Sequence, residues 1–264
     1  MSKTILPIYG SIGIQSYGLF VAIGVILSTW LFLKNPKAKK IISPDQFKNT
    51  LLLAIVGGIV GGRALYIIED PTSVTNVLEA IQIWEGGLSS LGSIITILIV
   101  LPLYLAYIRV PIVQFFDLLG IYAPLTYAIA RIGCFFAGCC YGTESNVPWA
   151  IMYKKTDSVA PLCKTLHPAQ LYSSAASFLV FLLMFFILSQ KLKKPGQLIT
   201  SYLFLASMER FLIDFVRGDK TYFTTSGILS QLSTSQSISL LTGITSLLIL
   251  FFITAQKNKK NEYI

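Results

Sequence analysis

The sequence predicts an all-α membrane protein, and its composition and its long apolar segments are the observations that predict it. Only 12% of the 264 residues are charged and 54% are hydrophobic, whereas soluble proteins carry about 25% charged residues. A helix needs roughly 20 mostly apolar residues to cross about 30 Å of hydrocarbon. Seven segments meet this requirement: 15–33, 49–68, 91–109, 113–137, 170–189, 197–216 and 237–255. We therefore expect about seven transmembrane helices in one integral membrane domain over residues 1–264.

The distribution of lysine and arginine predicts how these helices are oriented. If the loop at 34–48 is cytoplasmic, that side of the membrane holds 12 of the 21 basic residues and the opposite side holds six. Because basic residues favour the cytoplasmic side, we expect the N-terminus outside and the C-terminus in the cytoplasm. The lysines lie beside the ends of spans, where anionic headgroups attract them. The net charge of +9 therefore indicates a membrane surface and not nucleic acid.

The segment 130–142, ARIGCFFAGCCYG, indicates a binding site at the end of the fourth apolar segment. An arginine at membrane depth costs roughly 2.5–3.5 kcal/mol to insert, so Arg131 is expected to have a buried anionic partner. Gly133, Gly138 and Gly142 leave room for a ligand or for backbone to approach its guanidinium group. The segment predicts a site for a lipid phosphate.

The four cysteines are expected to be packing residues. Cys134, Cys139 and Cys140 lie in the 130–142 segment, and Cys163 lies four residues before His167, the one histidine of the chain. This spacing matches none of the usual zinc motifs, so we expect no metal site. We expect small packing residues, with a disulfide on the outer face as the alternative in an oxidising compartment.

Further polar residues lie within or beside the apolar segments. Arg210 and Asp214 are one helical turn apart and can pair, and Arg217 follows on nearly the same face. One such pair can simply neutralise itself when a helix inserts, and glycine runs and interfacial tyrosines are common in membrane helices. In the predicted orientation, however, six polar residues from separate segments lie toward the outer leaflet: Tyr17, Arg63, Glu85, Arg131, His167 and Arg217. Their convergence predicts a polar site there.

Taken in order, these motifs resemble those of the prolipoprotein diacylglyceryl transferase family. They are Tyr17-Gly18, GGRALY at 61–66, GGL at 86–88, ARIGCFFAGCCYG at 130–142, HPAQLY at 167–172 and RFLIDFVR at 210–217. The resemblance covers about residues 15–220. Its most specific parts are the 130–142 segment and HPAQLY.

The resemblance implies an enzyme of the bacterial cytoplasmic (inner) membrane, with residues 1–264 as a single transferase domain. Such an enzyme transfers the diacylglyceryl group of phosphatidylglycerol to the lipobox cysteine thiol of a preprolipoprotein and releases glycerol phosphate. The implied partners are phosphatidylglycerol, preprolipoprotein signal peptides and membrane lipids, with no nucleic acid. The reaction requires no cofactor and no metal. Because the nucleophilic thiol belongs to the substrate, the enzyme needs no cysteine of its own.

The resemblance and the expected chemistry together assign the site residues. The catalytic candidates are Arg131, Arg210, His167 and Tyr17. The substrate-binding candidates are Arg131, Gly142, Arg63, Gln170, Tyr172, Asp214 and Arg217. Arginines stabilise the charge that grows on the departing phosphate in a site with little water.

Several positions depart from the family pattern. Leu91 stands where many members have histidine, Asp214 and Ser173 stand where glutamate is usual, and Cys134 and Cys139 replace asparagine and glutamate. Ala206-Ser207 replaces a Tyr-Gly pair. Leu91 cannot transfer a proton, so His167, Tyr17 and Glu85 are the candidates for the base that accepts the thiol proton. Direct attack by a thiolate, assisted by Arg131 and Arg210, is an equal alternative.

Two other functions follow from the same residues. A divergent homologue could bind a lipid or lipopeptide without transferring anything, which the replaced histidine and glutamates would suit. A small-solute transporter is the other alternative, although the sequence shows neither inverted repeats nor paired broken helices.

The predicted orientation can be tested with accessibility tags. Tags at residue 40 and after residue 256 should report from the cytoplasm, and tags within 143–160 should report from the outer face, because the basic residues are twice as numerous on the first side. The measurement is labelling of intact cells with a membrane-impermeant reagent. Labelling of residue 150 only after the cells are opened would contradict both the orientation and the outer-leaflet site.

Overall fold

The computed structural model describes residues 4–9, 12–71, 76, 87–154, 158–222 and 232–255, and most of these residues are helical. The helices are α1 (Ser16–Lys34), α2 (Pro36–Ile41), α3 (Pro44–Glu69), α4 (Ser90–Tyr107), α5 (Ile112–Ala137), α6 (Ala169–Leu182), α7 (Ser189–Lys191), α8 (Gln197–Asp214) and α9 (Thr234–Ala255). A π-helical segment, Leu183–Leu188, joins α6 to α7.

Two small antiparallel sheets accompany the helices. Strands β1 (Thr4–Tyr9) and β2 (Ile12–Gln15) form a hairpin that leads into α1. Strands β3 (Ile151–Met152) and β4 (Thr165–Leu166) pair in the segment between α5 and α6. The strands therefore add short pairings to an otherwise helical membrane protein.

Helices occupy all seven segments that hydropathy predicted, but the prediction of seven membrane-spanning helices is confirmed only in part. Among the described residues, five helices are long and apolar enough to cross a membrane: Ser16–Lys34, Pro44–Glu69, Ile112–Ala137, Ala169–Lys191 and Thr234–Ala255. Helix α4 contributes a shorter apolar stretch, Leu91–Tyr107. Helix α8 carries Glu209, Arg210 and Asp214, and these charges lower its hydropathy. The orientation of the two ends stays a prediction.

Residues 33–115 form one compact unit, in which α3 packs against α4. A capping box begins α3, because the Ser43 side chain accepts from the Gln46 backbone while the Gln46 side chain accepts from the Ser43 backbone. Gly61 and Gly92 bring the two helices into contact: a Cβ atom on Gly61 would lie 2.8 Å from the Gly92 carbonyl oxygen. The glycine run in α3 therefore serves helix packing.

The second unit contains residues 1–32 and 116–264. In it, α1 packs closely on α5: a Cβ atom on Gly24 would lie 3.0 Å from the Thr126 carbonyl oxygen. The Ser28 hydroxyl donates to the Tyr122 carbonyl oxygen at 3.3 Å, which satisfies a buried polar group inside this interface.

A buried carboxylate fixes the start of α8 in the same unit. Asp117, on α5, is fully buried. Its two oxygens accept hydrogen bonds from the backbone nitrogen atoms of Gly196 at 2.7 Å and Ile199 at 2.8 Å. The first amides of a helix have no partner within it, and a negative charge is favoured at that end. Asp117 thus sets where α8, which carries Arg210, begins against α5.

Candidate functional site

The candidate site is organised around Arg131 in the last two turns of α5. Helix α1 approaches very closely here, since a Cβ atom on Gly133 would lie 2.9 Å from the Phe20 Cβ and 3.0 Å from the Tyr17 Cα. Gly133 therefore allows the start of α1 to lie beside the Arg131 turn. The Tyr17 side chain is 48% exposed, so its hydroxyl-bearing ring is accessible from outside the helix pair.

Arg131 is half-buried, and its guanidinium group has few hydrogen-bond partners. Its Nη2 donates to the Tyr127 hydroxyl, and its Cζ lies 4.5 Å from the centre of the Tyr127 ring. Its Nε is buried without a hydrogen-bond partner, and no acidic side chain among the described residues pairs with it. A buried donor without an acceptor costs roughly 1–3 kcal/mol. The guanidinium group is thus ready for an anionic ligand.

Backbone hydrogen bonds join three distant motifs just after α5. The Thr143 nitrogen donates to the Val216 carbonyl oxygen at 2.8 Å, and the Gly218 nitrogen donates to the Tyr141 carbonyl oxygen at 2.9 Å. The His167 nitrogen donates to the Thr143 carbonyl oxygen at 2.9 Å. We call residues 141–143, 165–167 and 216–218 the three-segment junction. It connects the 130–142 segment to HPAQLY and to the end of α8.

Gly142 is required at the centre of the three-segment junction. A Cβ atom there would lie 2.6 Å from the His167 Cβ and 3.0 Å from the His167 carbonyl carbon. These separations are far shorter than van der Waals contact, and the atoms involved belong to the His167 backbone or to its Cβ, which cannot rotate away. The resemblance assigned Gly142 to substrate binding, and the contacts give this glycine a packing role as well.

The HPAQLY motif begins α6 and supports the loop that follows α5. Gln170 is 1% exposed, and its amide donates to the Cys139 carbonyl oxygen at 2.7 Å and to the Tyr153 hydroxyl at 3.3 Å. The Tyr153 hydroxyl in turn donates to the Phe135 carbonyl oxygen at 3.0 Å. Burial raises the pKa of Tyr153 to about 12, so its hydroxyl keeps the proton that it donates.

His167 and Tyr172 of the same motif contact each other through their side chains. His167 Nδ1 lies 3.2 Å from the Tyr172 hydroxyl, which also accepts from Trp149 Nε1 at 2.5 Å. The indole nitrogen can only donate, so the Tyr172 hydroxyl has its own proton available for His167 Nδ1. This arrangement favours the His167 tautomer that carries its proton on Nε2.

The predicted ion pair forms on α8, and a second ion pair forms just beyond the end of this helix. The Arg210 Nη2 lies 3.7 Å from an Asp214 oxygen, as the one-turn spacing predicted, and it donates to Ser235 Oγ at 2.7 Å. Arg217 instead binds Asp219 through two hydrogen bonds of 2.9 and 2.8 Å. Burial acts to lower the pKa of Arg217, but its hydrogen bonds and charge contact with Asp219 outweigh this effect and raise the pKa.

Glu209 is a site residue that the sequence interpretation left out. Ser173 Oγ donates to a Glu209 oxygen at 2.5 Å, and both side chains are buried. Glu209 also lines a cavity of about 190 Å³, together with Pro124, Tyr127, Ser177, Val180, Tyr202, Ala206 and Arg210. A carboxylate within an apolar helix is the signal that could have indicated Glu209. Such a charge is costly in a membrane, so it is rare there and commonly marks a functional site.

Three cysteines meet beside Arg131. The sulfur atoms of Cys134, Cys139 and Cys140 all lie within 4.8 Å of one another, whereas Cys163 is exposed and outside this group. Hydrogen bonds from Cys134 and Cys139 lower the pKa of Cys140 against the opposing effect of burial. The positive charges of Arg131 and Arg217 lower it further. Spacing along the chain gave no indication of this grouping.

Other predicted residues lie in the unit of residues 33–115 or outside the described residues. Arg63 donates to the Gly87 carbonyl oxygen at 2.8 Å, and its Cζ lies 5.2 Å from the centre of the Tyr66 ring. Leu91, at the position where many family members have histidine, is 55% exposed on α4. Glu85 lies outside the described residues. The substrate-binding role of Arg63 stays a prediction.

Comparison with known proteins identifies the family. Residues 3–252 match the family model described as prolipoprotein diacylglyceryl transferase. The chain belongs to this family. It is 34% identical to the phosphatidylglycerol--prolipoprotein diacylglyceryl transferase of Clostridium tetani, over 94% of this chain and 96% of that protein. It is 32% identical to phosphatidylglycerol--prolipoprotein diacylglyceryl transferase 2 of Clostridium perfringens, over 94% and 93% of the two chains.

A third relative carries the same name. The phosphatidylglycerol--prolipoprotein diacylglyceryl transferase of Methylococcus capsulatus is 31% identical over 79% of each chain. The resemblance found in the motifs is therefore confirmed over nearly the whole chain, and the departures at Leu91, Cys134, Cys139 and Ser173 are variations within the family.

The requirement for glycine at 142 gives a test of the three-segment junction. Gly142→Ala should lower the thermal stability of the purified protein in detergent, because overpacking typically costs about 1–3 kcal/mol. Gly243→Ala, on α9, is the matched control, since its added Cβ would make an ordinary contact of 3.5 Å with Ser207. Equal melting temperatures for the two variants would show that Gly142 is not confined by His167.

Proposed function

We propose that this protein transfers the diacylglyceryl group of phosphatidylglycerol to the lipobox cysteine thiol of preprolipoprotein signal peptides, in the cytoplasmic (inner) membrane of bacteria. The observation that carries the proposal is Arg131, a half-buried arginine in the family's signature segment whose buried Nε has no partner among the described residues. A phosphate oxygen of the lipid would supply that partner. The names of the related proteins supply the reaction.

The chemistry is a substitution at the glyceryl carbon. The thiolate sulfur forms a bond to this carbon, and the bond from the carbon to the phosphate oxygen breaks. Glycerol phosphate leaves with the electron pair of that bond. The charge that develops on its oxygen is stabilised by guanidinium groups, which are most effective where water is scarce. No step requires a cofactor.

We place the phosphate between Arg131 and the cavity that Arg210 lines. The Arg131 guanidinium lies over Tyr127, and Tyr127 and Arg210 line the same cavity. Arg210 is held by a 3.7 Å contact with Asp214 and one hydrogen bond to Ser235, so several of its five donors are available to a ligand. We propose that Arg131 and Arg210 clamp the phosphate. Arg217, already bound twice to Asp219, contributes its charge from the three-segment junction.

The hydrogen bonds around His167 favour thiolate attack over a histidine base. Nδ1 is engaged by Tyr172, and the tautomer that this favours carries its proton on Nε2. His167 could accept the thiol proton only after this hydrogen bond breaks. We therefore assign catalysis first to Arg131 and Arg210, which favour the thiolate through their charge. Tyr17 is proposed to contact the reacting groups beside Arg131.

The remaining assignments extend this arrangement to substrate binding. Gln170 would act through the Cys139 carbonyl that it holds, and Asp214 would act through Arg210. Tyr172, Gly142 and Arg63 remain proposed substrate contacts. In the predicted orientation, the phosphatidylglycerol headgroup and the signal peptide would bind toward the outer leaflet.

A binding protein without transferase activity is the second candidate, and the exposed Leu91 favours it. The Ser173–Glu209 pair opposes it, because Glu209 supplies a buried carboxylate where the usual glutamate at position 173 is missing. Rescue of a bacterial strain depleted of its own transferase distinguishes the two. We expect the chain to restore growth and lipoprotein lipidation. Stable membrane insertion without rescue would favour the binding protein.

Arg131→Lys tests the phosphate site directly. Lysine keeps the charge but lacks the planar group that binds two phosphate oxygens, so the transfer rate should fall by at least about 100-fold while the protein still inserts. Arg109→Lys, the same substitution at an exposed position, is the control. The measurement is diacylglyceryl transfer to a lipobox peptide from vesicles that contain phosphatidylglycerol. A lysine variant with a near wild-type rate would exclude this role for Arg131.

A further inference from the structure

The cysteines that meet beside Arg131 have no role in the proposed reaction, yet the fold holds them together. We call Cys134, Cys139 and Cys140 the three-cysteine cluster. Gly138, with φ of 73°, ends α5 with a left-handed residue and turns the chain back, so that Cys139 Sγ lies 3.9 Å from the Cys134 carbonyl oxygen. Spacing rules for metal motifs count residues along the chain and do not consider such a reversal.

The cluster is fixed from both sides by contacts outside it. Buried Gln170 donates to the Cys139 carbonyl oxygen at 2.7 Å, and the Tyr141 carbonyl oxygen accepts from the Gly218 nitrogen at 2.9 Å. The backbone before and after Cys140 is therefore anchored to α6 and to the end of α8. A site that is held in this way needs little rearrangement to bind a ligand.

Thiolates are soft ligands, and they select soft ions such as Cu(I) and zinc. The number of ligands in this cluster favours the monovalent ion. Structural zinc is almost always held by four protein ligands, but the group of potential ligands among the described residues contains the three cysteines and no histidine or carboxylate. Three thiolates with one monovalent cation carry two negative charges. Arg131 beside the cluster offsets part of this charge, whereas the charge of Arg217 is already largely neutralised by Asp219.

We infer that the three-cysteine cluster binds one Cu(I) ion through the sulfur atoms of Cys134, Cys139 and Cys140. Sulfur atoms bound at about 2.3 Å around a three-coordinate ion lie roughly 4 Å apart. The present sulfur atoms are within 4.8 Å of one another, so binding requires shifts of less than about 1 Å. Three thiols release their protons to solvent as the ion binds. No electron is transferred, so copper has to arrive in its reduced state.

Copper binding would also affect the proposed reaction. The bound complex would occupy the positive field of Arg131 and Arg217, and a phosphate would then be attracted less strongly. This part of the inference rests on the proposed function. The binding of the ion does not.

The first experiment measures binding to the full-length protein in detergent, with reduced thiols and without oxygen. Cu(I) is titrated in competition with a chromogenic Cu(I) chelator. We expect one ion per chain for the wild type and for Cys163→Ser, the matched control outside the cluster. Cys139→Ser should bind at least about 100-fold more weakly, since the loss of a supporting residue alone costs 10–100-fold. The inference fails if the wild type retains no ion, if Cys139→Ser binds equally well, or if Cys163→Ser loses as much affinity.

The second experiment needs no variant, so it remains decisive if Cys139→Ser does not fold. X-ray absorption at the copper edge should show three sulfur neighbours and no nitrogen or oxygen in the first shell. A shell with fewer sulfur atoms, or one that contains nitrogen, would overturn the assignment. Retention of Zn(II) as tightly as Cu(I), measured in a matched competition with a zinc chelator, would overturn the choice of a monovalent ion.

The third experiment separates this inference from the proposed function. Cu(I) should inhibit diacylglyceryl transfer by the wild type, and added phosphatidylglycerol should relieve the inhibition. Cys139→Ser should resist inhibition by Cu(I). Transfer that is insensitive to bound Cu(I) would overturn the effect on the arginines but not the site. If the protein transfers nothing at all, the proposed function fails while the stoichiometry and the absorption spectrum still decide whether the ion binds.

Discussion

The three-segment junction is the constraint on which the candidate site depends. Three backbone hydrogen bonds join residues 141–143 to HPAQLY and to the end of α8, and Gly142 permits the close approach because it has no Cβ. Each of these segments is attached to a different helix. The positions of Arg131, His167 and Arg217 relative to one another are therefore set by main-chain hydrogen bonds, which do not depend on flexible side chains.

The junction and the buried charges have complementary roles. Asp117 fixes where α8 begins, and the three-segment junction holds the chain just after it ends, so the helix that carries Arg210 is anchored at both ends. Arg131 lies on α5, the helix that also carries Asp117. A half-buried cation without an acidic partner reduces the stability of the folded protein. In the same region, α1 packs closely at Gly133 and the guanidinium group lies over the Tyr127 ring.

The sequence predicted what depends on local spacing. Helices occur at all seven predicted segments because long apolar runs are read directly from composition, and Arg210 contacts Asp214 because residues four apart share a helix face. The three-cysteine cluster could not be predicted, since it depends on the left-handed turn at Gly138. The bond between Arg217 and Asp219 was also missed, because it forms beyond the end of α8, where helical spacing no longer applies.

The Ser173–Glu209 pair limits which substitutions this region can accept. Ser173 and Glu209 lie on two packed helices, and one hydrogen bond of 2.5 Å joins their buried side chains. A glutamate at position 173, where the family resemblance leads us to expect one, would place two buried carboxylates side by side, and each would oppose the ionisation of the other. The two positions therefore constrain each other, and a glutamate at position 173 would need a matching change at position 209.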